Sequence, residues 1–354
     1  MSGRLETQTG DVMNGGAAKA VAIFGAGGHT GRFVVAELKR RGITPVAVVR
    51  NKAKLAQERV FGPEIDLREA AIDDAASLNI AFANMAAVIN CAGPFLDTAA
   101  PVAEAAIRAG AHYLDVTAEQ PSAMATFEAF DEAAGAAGVL VLPAMGFYGG
   151  LGDLMVSAAM DDWVDVDDIR IGIALDSWHP TRGTRITGAR NTAQRLVVSN
   201  GRLAPLVPAA DDLTLNFPEP FGRQAVVALP FSEIPVITRH LRPKELHSFL
   251  NRTALSDVRA VDTPTPKAAD ESGRSPQRFA INAVIRKGRE TRRITATGRD
   301  IYAFSAPLIC EAVVRLLDGR SRGSGAQAPG AVFDAGDFLN ALNVRIPDFQ
   351  MTRN

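Results

Sequence analysis

Between Ala20 and Pro143 the chain alternates two kinds of apolar pattern. Short, nearly continuous apolar runs recur at Val21–Phe24, Pro45–Val49, Ala86–Cys91, His112–Val116 and Val139–Pro143. Parallel strands covered by helices on both faces require runs of this kind. Arg68–Asp73 adds a more polar strand candidate. The intervening stretches carry apolar residues at helical spacing, as in Phe33, Val34, Val35, Ala36 and Leu38. The spacing predicts helices at Arg32–Arg41, Ala75–Phe82, Ala99–Ala109 and from Pro121 to Ala137. Gly42 and Gly110 suit helix stops, and Asp73 or Asp74 suits a helix cap. Six strands alternating with helices predict an α/β fold with a doubly wound, Rossmann-type parallel sheet.

The rhythm changes after Pro143. Met145–Asp153 is glycine-rich and reads as a hinge, followed by a short helix at Leu154–Met160. Ile169–Leu175 alternates with period two, which suits a half-buried strand. Ala225–Leu229 is another strand candidate, and Phe279–Ile285 and Arg292–Thr297 flank Lys287-Gly288 as a hairpin. Strands without regular intervening helices predict a second, α+β domain with a mainly antiparallel sheet. Val261–Gln277 is rich in Pro, Ser and charge and reads as a mobile surface loop. Ala306–Leu317 reads as a buried helix, Ser321–Pro329 as a flexible link, and Phe333, Phe338 and Leu339 as the start of a last amphipathic segment. The expected organisation is a flexible tail at 1–18, a dinucleotide-binding domain at 19–150 and a substrate and dimerisation domain at 151–300. A C-terminal helical segment, 301–354, is expected to pack back on the first domain.

Composition narrows the function classes. The chain has 354 residues and a formal net charge of -1, so no global attraction to nucleic acid or an anionic membrane is expected. No run approaches the roughly 18 apolar residues of a membrane span. Residues 1–18 lack the apolar core of a signal peptide, so a cytoplasmic location is the default expectation. The two cysteines, Cys91 and Cys310, lie in apolar runs, which suits reduced thiols. No cysteine pair at zinc spacing and no HExxH motif occurs, so no metal is expected.

The most informative stretch is Ala20–Gly31, AVAIFGAGGHTG, where an apolar strand turns through glycines into a helix. In dinucleotide-binding folds such glycines permit a tight turn, close approach of a pyrophosphate and close helix–strand packing. The helix N-terminus then presents free N–H groups to the phosphates. Gly25, Gly27, Gly28, His29, Thr30 and Gly31 are therefore candidate cofactor contacts. The next strand ends in Arg50-Asn51-Lys52, where NAD-preferring folds usually carry Asp or Glu. A guanidinium at Arg50 suits a 2′-phosphate, so NADP(H) is the expected cofactor, with Asn51 beside it. A solvated strand end is the alternative reading of Arg50. Ala92, Gly93, Pro94 and Phe95 follow the fourth strand at the same sheet edge, where backbone can lie against the cofactor.

Together these segments resemble the saccharopine dehydrogenase-like oxidoreductases. The similarity is carried by GAGGHTGRFVVAELKRRG, by INCAGPF at Ile89–Phe95 and by AGAHYLDVTAE at Ala109–Glu119. PAMGFYGGLGDL at Pro143–Leu154 and the segment from Gly298 onward are similar to later parts of the family. The resemblance implies NAD(P) binding on a Rossmann domain and a second domain that carries the substrate side and often a homodimer contact. Members reduce different bonds, including an imine and, in trans-acting enoyl reductases, a C=C bond. Tyr148, Ala118 and Leu151 depart from the residues the family usually shows, and no catalytic residue is carried over.

Hydride transfer needs a positioned nicotinamide, excluded water and a proton donor. Tyr148 on the glycine hinge is one candidate donor, or else a packing aromatic. His179, after the Ile169–Leu175 strand, is a second, or else an exposed loop residue. Asp115 and Glu119, just past the fifth strand, can bind substrate or ribose, or cap a helix. Arg182 and Arg185 can hold an anionic substrate, or be solvated. The expected function is NADP(H)-dependent hydride transfer to a small organic substrate, with reduction of a C=C or C=N bond. A non-catalytic NADP(H)-binding sensor or scaffold is the main alternative, and a C–N lyase or synthase that uses the nicotinamide transiently is another.

Overall fold

The computed structural model describes residues 19–163, 165–207 and 213–353. The tail expected at 1–18 lies outside these residues. The first part of the chain runs β1 (Ala20–Phe24), α1 (His29–Arg40), β2 (Thr44–Val49), α2 (Lys52–Gln57), β3 (Asp66–Glu69) and α3 (Ala75–Phe82). It continues through β4 (Ala87–Asn90), α4 (Phe95–Arg108), β5 (His112–Asp115), α5 (Gln120–Ala136) and β6 (Leu140–Leu142). The central strands β1, β2 and β4 are buried along nearly their whole length, as the apolar runs predicted. Asp74, not Asp73, caps α3 by accepting from the Ala76 and Ser77 amides. The fourth helix begins four residues before the expected Ala99, directly at the end of the Gly93-Pro94 turn.

These strands form a parallel sheet ordered β6-β5-β4-β1-β2-β3. The chain winds outward from β1 to β3, then returns to place β4 on the other side of β1. That reversal opens a crevice beyond the carboxyl ends of β1 and β4. The glycine turn follows β1 and the Ala92–Phe95 turn follows β4, so the topology brings both candidate segments to the crevice.

The second part begins with a kinked turn (Phe147–Leu151), non-helical at Tyr148 and Gly149, and α6 (Gly152–Met160), then β7 (Asp165–Leu175), α7 (Arg182–Arg190), β8 (Leu196–Ser199) and β9 (Arg202–Pro205). Next come β10 (Leu213–Asn216), β11 (Arg223–Ala228), α8 (Glu233–Thr238), β12 (Arg242–Asn251) and α9 (Arg252–Arg259). The chain closes with β13 (Arg278–Lys287), β14 (Glu290–Arg299), α10 (Ile301–Leu317), β15 (Gly325–Ala326), α11 (Pro329–Val332), α12 (Ala335–Arg345) and β16 (Gln350–Arg353). The second sheet is ordered β10-β11-β12-β7-β13-β14-β16, with β8 on β12 and β9 on β8. It is mainly antiparallel, and β13 and β14 form the expected hairpin. The exception is β12, which lies parallel to β7.

Three expectations change. The Met145–Asp153 segment is buried throughout instead of forming an open hinge, because the two sheets share one apolar core. That core runs from Val21 and Ile23 through Phe147 and Leu154 to Ile281 and Ile294. The segment Ser321–Pro329 is not a plain link: Gly325 and Ala326 are buried and extend the first sheet as β15, parallel to β6. The chain end is divided between the two sheets. The α10 helix packs on α1, with Arg41 Nη1 2.6 Å from Glu311 Oε2, whereas β16 pairs with β14. The Val261–Gln277 segment is mostly exposed, but its end is fastened. Ser275 and Gln277 are buried, and the Ser275 amide donates to Asp300 Oδ2 at 2.6 Å. Among the described residues no helix is long and apolar enough to cross a membrane, and no cluster of His, Cys, Asp or Glu is placed to hold a metal ion.

Candidate active site

At the β1 end, Gly25 has φ +81°, and a Cβ there would lie 3.0 Å from the Ala92 backbone nitrogen. Only glycine lets the turns after β1 and β4 approach this closely. Gly31 faces the Gly25 carbonyl oxygen across the turn, and a Cβ on it would lie 2.8 Å from Ala26 Cα. Gly28 is the N-cap of α1 and supplies no side chain to its first-turn amides. Those amides keep their donors free, the arrangement that receives a phosphate. Arg32 Nε donates to the Gly27 carbonyl at 2.9 Å, which fixes the outer part of the turn. Arg50 is exposed at the end of β2. The Asn51 side chain is spent on capping α2, where its Oδ1 accepts from the Lys54 amide at 2.8 Å.

The β4 turn is held by side chains. Asn90 is fully buried and its Oδ1 accepts from the Ala92 amide at 2.9 Å. The Asn90 Nδ2 donates to Thr98 Oγ1 and the Tyr113 hydroxyl, and Thr98 Oγ1 donates to the Ala92 carbonyl at 2.6 Å. Glu119 Oε1 accepts from the Phe95 amide at 2.8 Å. Glu119 therefore anchors the start of α4, not the helix that follows it in sequence. Its other oxygen, Oε2, is buried without a partner, and burial pushes this carboxyl up from its usual range.

Asp115 is fully buried and spent. Its Oδ1 accepts from the Thr117 and Ala144 amides and its Oδ2 from the Tyr113 hydroxyl. Burial pushes the carboxyl up to about 6 despite those donors. This ties the end of β5 to the chain leaving β6. The catalytic expectation for Asp115 is thereby corrected, since its oxygens face backbone and Tyr113, and it does not line the cavity described next.

Between the strand ends and the second sheet lies a cavity of about 500 Å³. Thr30, Cys91, Gly93, Phe95, Val116, Ala118 and Glu119 form its first-domain wall. The lining also includes Tyr148 from the kinked turn, Trp178 from the β7 end and Phe231 ahead of α8. The Tyr148 ring stacks on Trp178 at 5.5 Å between centroids and lies 4.2 Å from Phe231. The Tyr148 hydroxyl is buried and has no hydrogen-bond partner among the described residues. Burial, with Tyr302 and Glu233 nearby, holds its pKa well above the ordinary phenol value.

Tyr302, at the start of α10, closes the same cavity. Its hydroxyl accepts from Trp178 Nε1 at 2.9 Å and from the Thr181 amide at 3.4 Å, and shares a 2.8 Å hydrogen bond with Thr184 Oγ1. Its ring meets the His29 ring edge-on at 5.5 Å. Tyr302 thus links the glycine turn to the Trp178–Thr184 segment. His179 is half-buried in that segment but does not line the cavity, in contrast to its neighbours Trp178 and Thr181. The catalytic expectation for His179 is corrected on that ground. Arg182 is exposed and outside the lining, whereas Arg185 is part of it. The lining also includes Arg195 and Arg259, which no sequence pattern singled out. Trp178 carried a faint signal as one of two tryptophans, next to a candidate histidine.

Comparison with known proteins agrees with this geometry. Residues 21–142 match the family model described as the saccharopine dehydrogenase NADP binding domain. A curated relative, the saccharopine dehydrogenase-like oxidoreductase of Bos taurus, is 27% identical over 145 residues. The match covers 36% of this chain and 34% of that protein, so the chain spans about a third of the relative's length. The solved apo saccharopine dehydrogenase (L-Glu forming) of Saccharomyces cerevisiae superposes with a TM-score of 0.65 at 13% identity. That superposition covers 95% of this chain and all of the yeast chain, so the two-sheet architecture of the saccharopine dehydrogenase fold extends through both halves.

The first domain fits a nicotinamide dinucleotide on this structure's own terms. The glycine cradle has no room for a Cβ at Gly25 or Gly31, and the α1 amides are unclaimed by a cap. The amides of His29, Thr30 and Gly31 are the ones left to hold a pyrophosphate, since the Gly25 amide donates to the Val48 carbonyl and the Gly28 amide to the Gly25 carbonyl, while the glycines at 25 and 27 leave room beside the turn. Ala92, Gly93, Pro94 and Phe95 would wall the nicotinamide side.

Proposed function

We propose that the chain is an NADP(H)-dependent oxidoreductase that moves hydride between a nicotinamide and a small organic substrate, reducing a C=C or C=N bond. One observation about the tyrosines carries the assignment of the acid. The Tyr113 hydroxyl donates to Asp115 and accepts from Asn90. The Tyr302 hydroxyl accepts from two N–H groups, which leaves its own proton for Thr184. A phenol has one donor and two acceptor sites, so neither is free to act. Of the three tyrosines, Tyr148 alone has a hydroxyl without a partner among the described residues, and its side chain lines the cavity.

When bound, the reduced cofactor supplies a hydride to one atom of the double bond. Tyr148 holds the proton that the other atom needs. Like any phenol it is protonated at neutral pH, and burial, which raises its pKa further, makes release of the proton depend on charge developing beside it. Trp178, Phe231 and Phe147 exclude water around the hydroxyl. Glu119 keeps the Phe95 amide, and with it the Gly93-Pro94 turn, in place. Arg50 at the β2 end supports a preference for the 2′-phosphate form.

The reading is tested by following NADPH absorbance with panels of imines, enones and ketones. Turnover is expected with an imine or an enone, and Tyr148→Phe should lower kcat by about 10²–10⁴-fold while NADPH affinity stays unchanged. Tight NADPH binding with no turnover across all three panels would identify a dinucleotide sensor instead.

A further inference from the structure

Three arginines stand on the second-domain side of the cavity: Arg185 on α7, Arg195 ahead of β8 and Arg259 at the end of α9. Half-buried arginines elsewhere each meet a carboxylate. Arg41 pairs with Glu311, Arg239 with Asp131, Arg292 with Asp162 and Arg299 with Asp270. Among the described residues neither of the two half-buried cavity arginines, Arg185 and Arg195, does, and the exposed Arg259 adds a third positive charge without a carboxylate. Arg185 Nη2 donates to the carbonyls of Ala260 at 3.2 Å and Thr263 at 2.7 Å, which aims the guanidinium without neutralising it. Arg195 Nη1 donates to the Pro230 carbonyl at 2.6 Å, and its guanidinium lies 5.0 Å from the Phe231 ring centroid. The acid in the lining, Glu119, belongs to the first-domain wall. Glu233, buried behind Phe231, acts on Arg195 only through space, and burial shifts its carboxyl toward the neutral form.

Uncompensated guanidinium groups beside an apolar wall are a demand for an anion. The same cavity is lined by the apolar side chains of Tyr148, Trp178 and Phe231, and by Leu255 and Val258. We propose that Arg195 and Arg259, oriented with Arg185, form an anion subsite for a carboxylate or phosphate at one end of the substrate, whose apolar, ring-sized body lies on the Tyr148–Trp178–Phe231 wall. The anion takes no part in bond making. It fixes which end of the molecule enters first, and so which atom of the double bond faces Tyr148. This specificity rests on the oxidoreductase reading for its purpose, but its chemistry can be read without turnover.

The test is isothermal titration of the full chain, with and without NADP+, using three probes of matched shape: 3-phenylpropionate, 2-phenylethyl phosphate and the neutral 3-phenylpropanamide. At least one anion should bind about 10- to 100-fold more tightly than the amide, and the tighter of the two assigns the group. Arg195→Met combined with Arg259→Met should erase that preference, and Arg259→Met alone, at an exposed helix end, should reduce it. NADPH affinity should not change in either variant. Equal binding of acid and amide, or no binding of either anion, overturns the subsite. A loss of NADPH affinity in the variants also overturns it, because the arginines would then serve the cofactor. Failure of the wild-type chain to bind NADPH would overturn the oxidoreductase reading while leaving the anion preference measurable.

Discussion

The two walls of the cavity are built on opposite plans. Behind the first-domain wall, the polar groups that support it are already spent on the protein itself. Asn90, Thr98, Asp115 and Thr117 each bond neighbouring backbone, and together they fix the turns after β4 and β5. What such a wall offers a ligand is shape and unclaimed amides. On the second-domain wall the chemistry is unspent: among the described residues the Tyr148 hydroxyl has no hydrogen-bond partner, and Arg195 and Arg259 meet no carboxylate. Glu119, with one oxygen used and one free, is where the two plans meet. A rigid wall suits a part that stays the same from turnover to turnover, and unspent groups suit the part that must recognise and react.

The contrast can be broken most severely at Gly31. A methyl there must displace the Gly25 carbonyl, which is backbone and cannot swing aside. Gly31→Ala should cost about 2–4 kcal/mol in urea unfolding and abolish NADPH binding by calorimetry, a loss that substitutions on the opposite wall should not produce. Arg50→Asp should be gentler and selective. NADPH affinity should fall by about 10- to 100-fold while NADH affinity holds, and equal losses would remove Arg50 from cofactor choice.

Tyr302→Phe sharpens the comparison from the other side. It leaves Trp178 Nε1 and the Thr181 amide without their acceptor. Substrate KM should rise by about 10-fold, with NADPH affinity and the Tyr148-dependent step preserved. A fall in kcat with unchanged KM would show that Tyr302 does more than position the wall. A further effect, on stability and not on ligand binding, concerns Asp115. Its carboxyl sits at about 6 in the fold against 3.8 as the ordinary value, so the folded chain holds a proton that the unfolded chain releases. The stability this contributes is full below about pH 4 and is lost as pH rises toward 6, by no more than about 3 kcal/mol. Asp115→Asn should flatten that window in urea unfolding curves.

The first wall was legible in the sequence and the second was not, for a physical reason. The apolar runs of β1, β2 and β4, the glycines and the Ala92–Phe95 turn act within a few residues of one another, so local pattern exposes them. The second wall is assembled over long separations. Trp178 meets Tyr302 across 124 residues, and β12 pairs with β7 although some seventy residues lie between them. Arg195 gains its meaning only from Phe231 and Pro230, which periodicity cannot join to it. His179 was a near miss of the same origin: the segment is right, but the backbone turns its neighbours Trp178 and Thr181 to the cavity. Asp115 failed differently, because a strand-end carboxylate looks the same in sequence whether it serves a ligand or the fold.

The central claim, that hydride chemistry takes place where the two walls face each other, is tested most directly by the position of the nicotinamide ring in a crystal of the full chain with NADP+. The ring is predicted to lie against Gly93, Pro94 and Phe95, with its C4 turned toward the cavity and the Tyr148 hydroxyl on the far side of a substrate-sized gap. A ring lying outside the cavity, or one whose C4 faces away from Tyr148, would contradict the account.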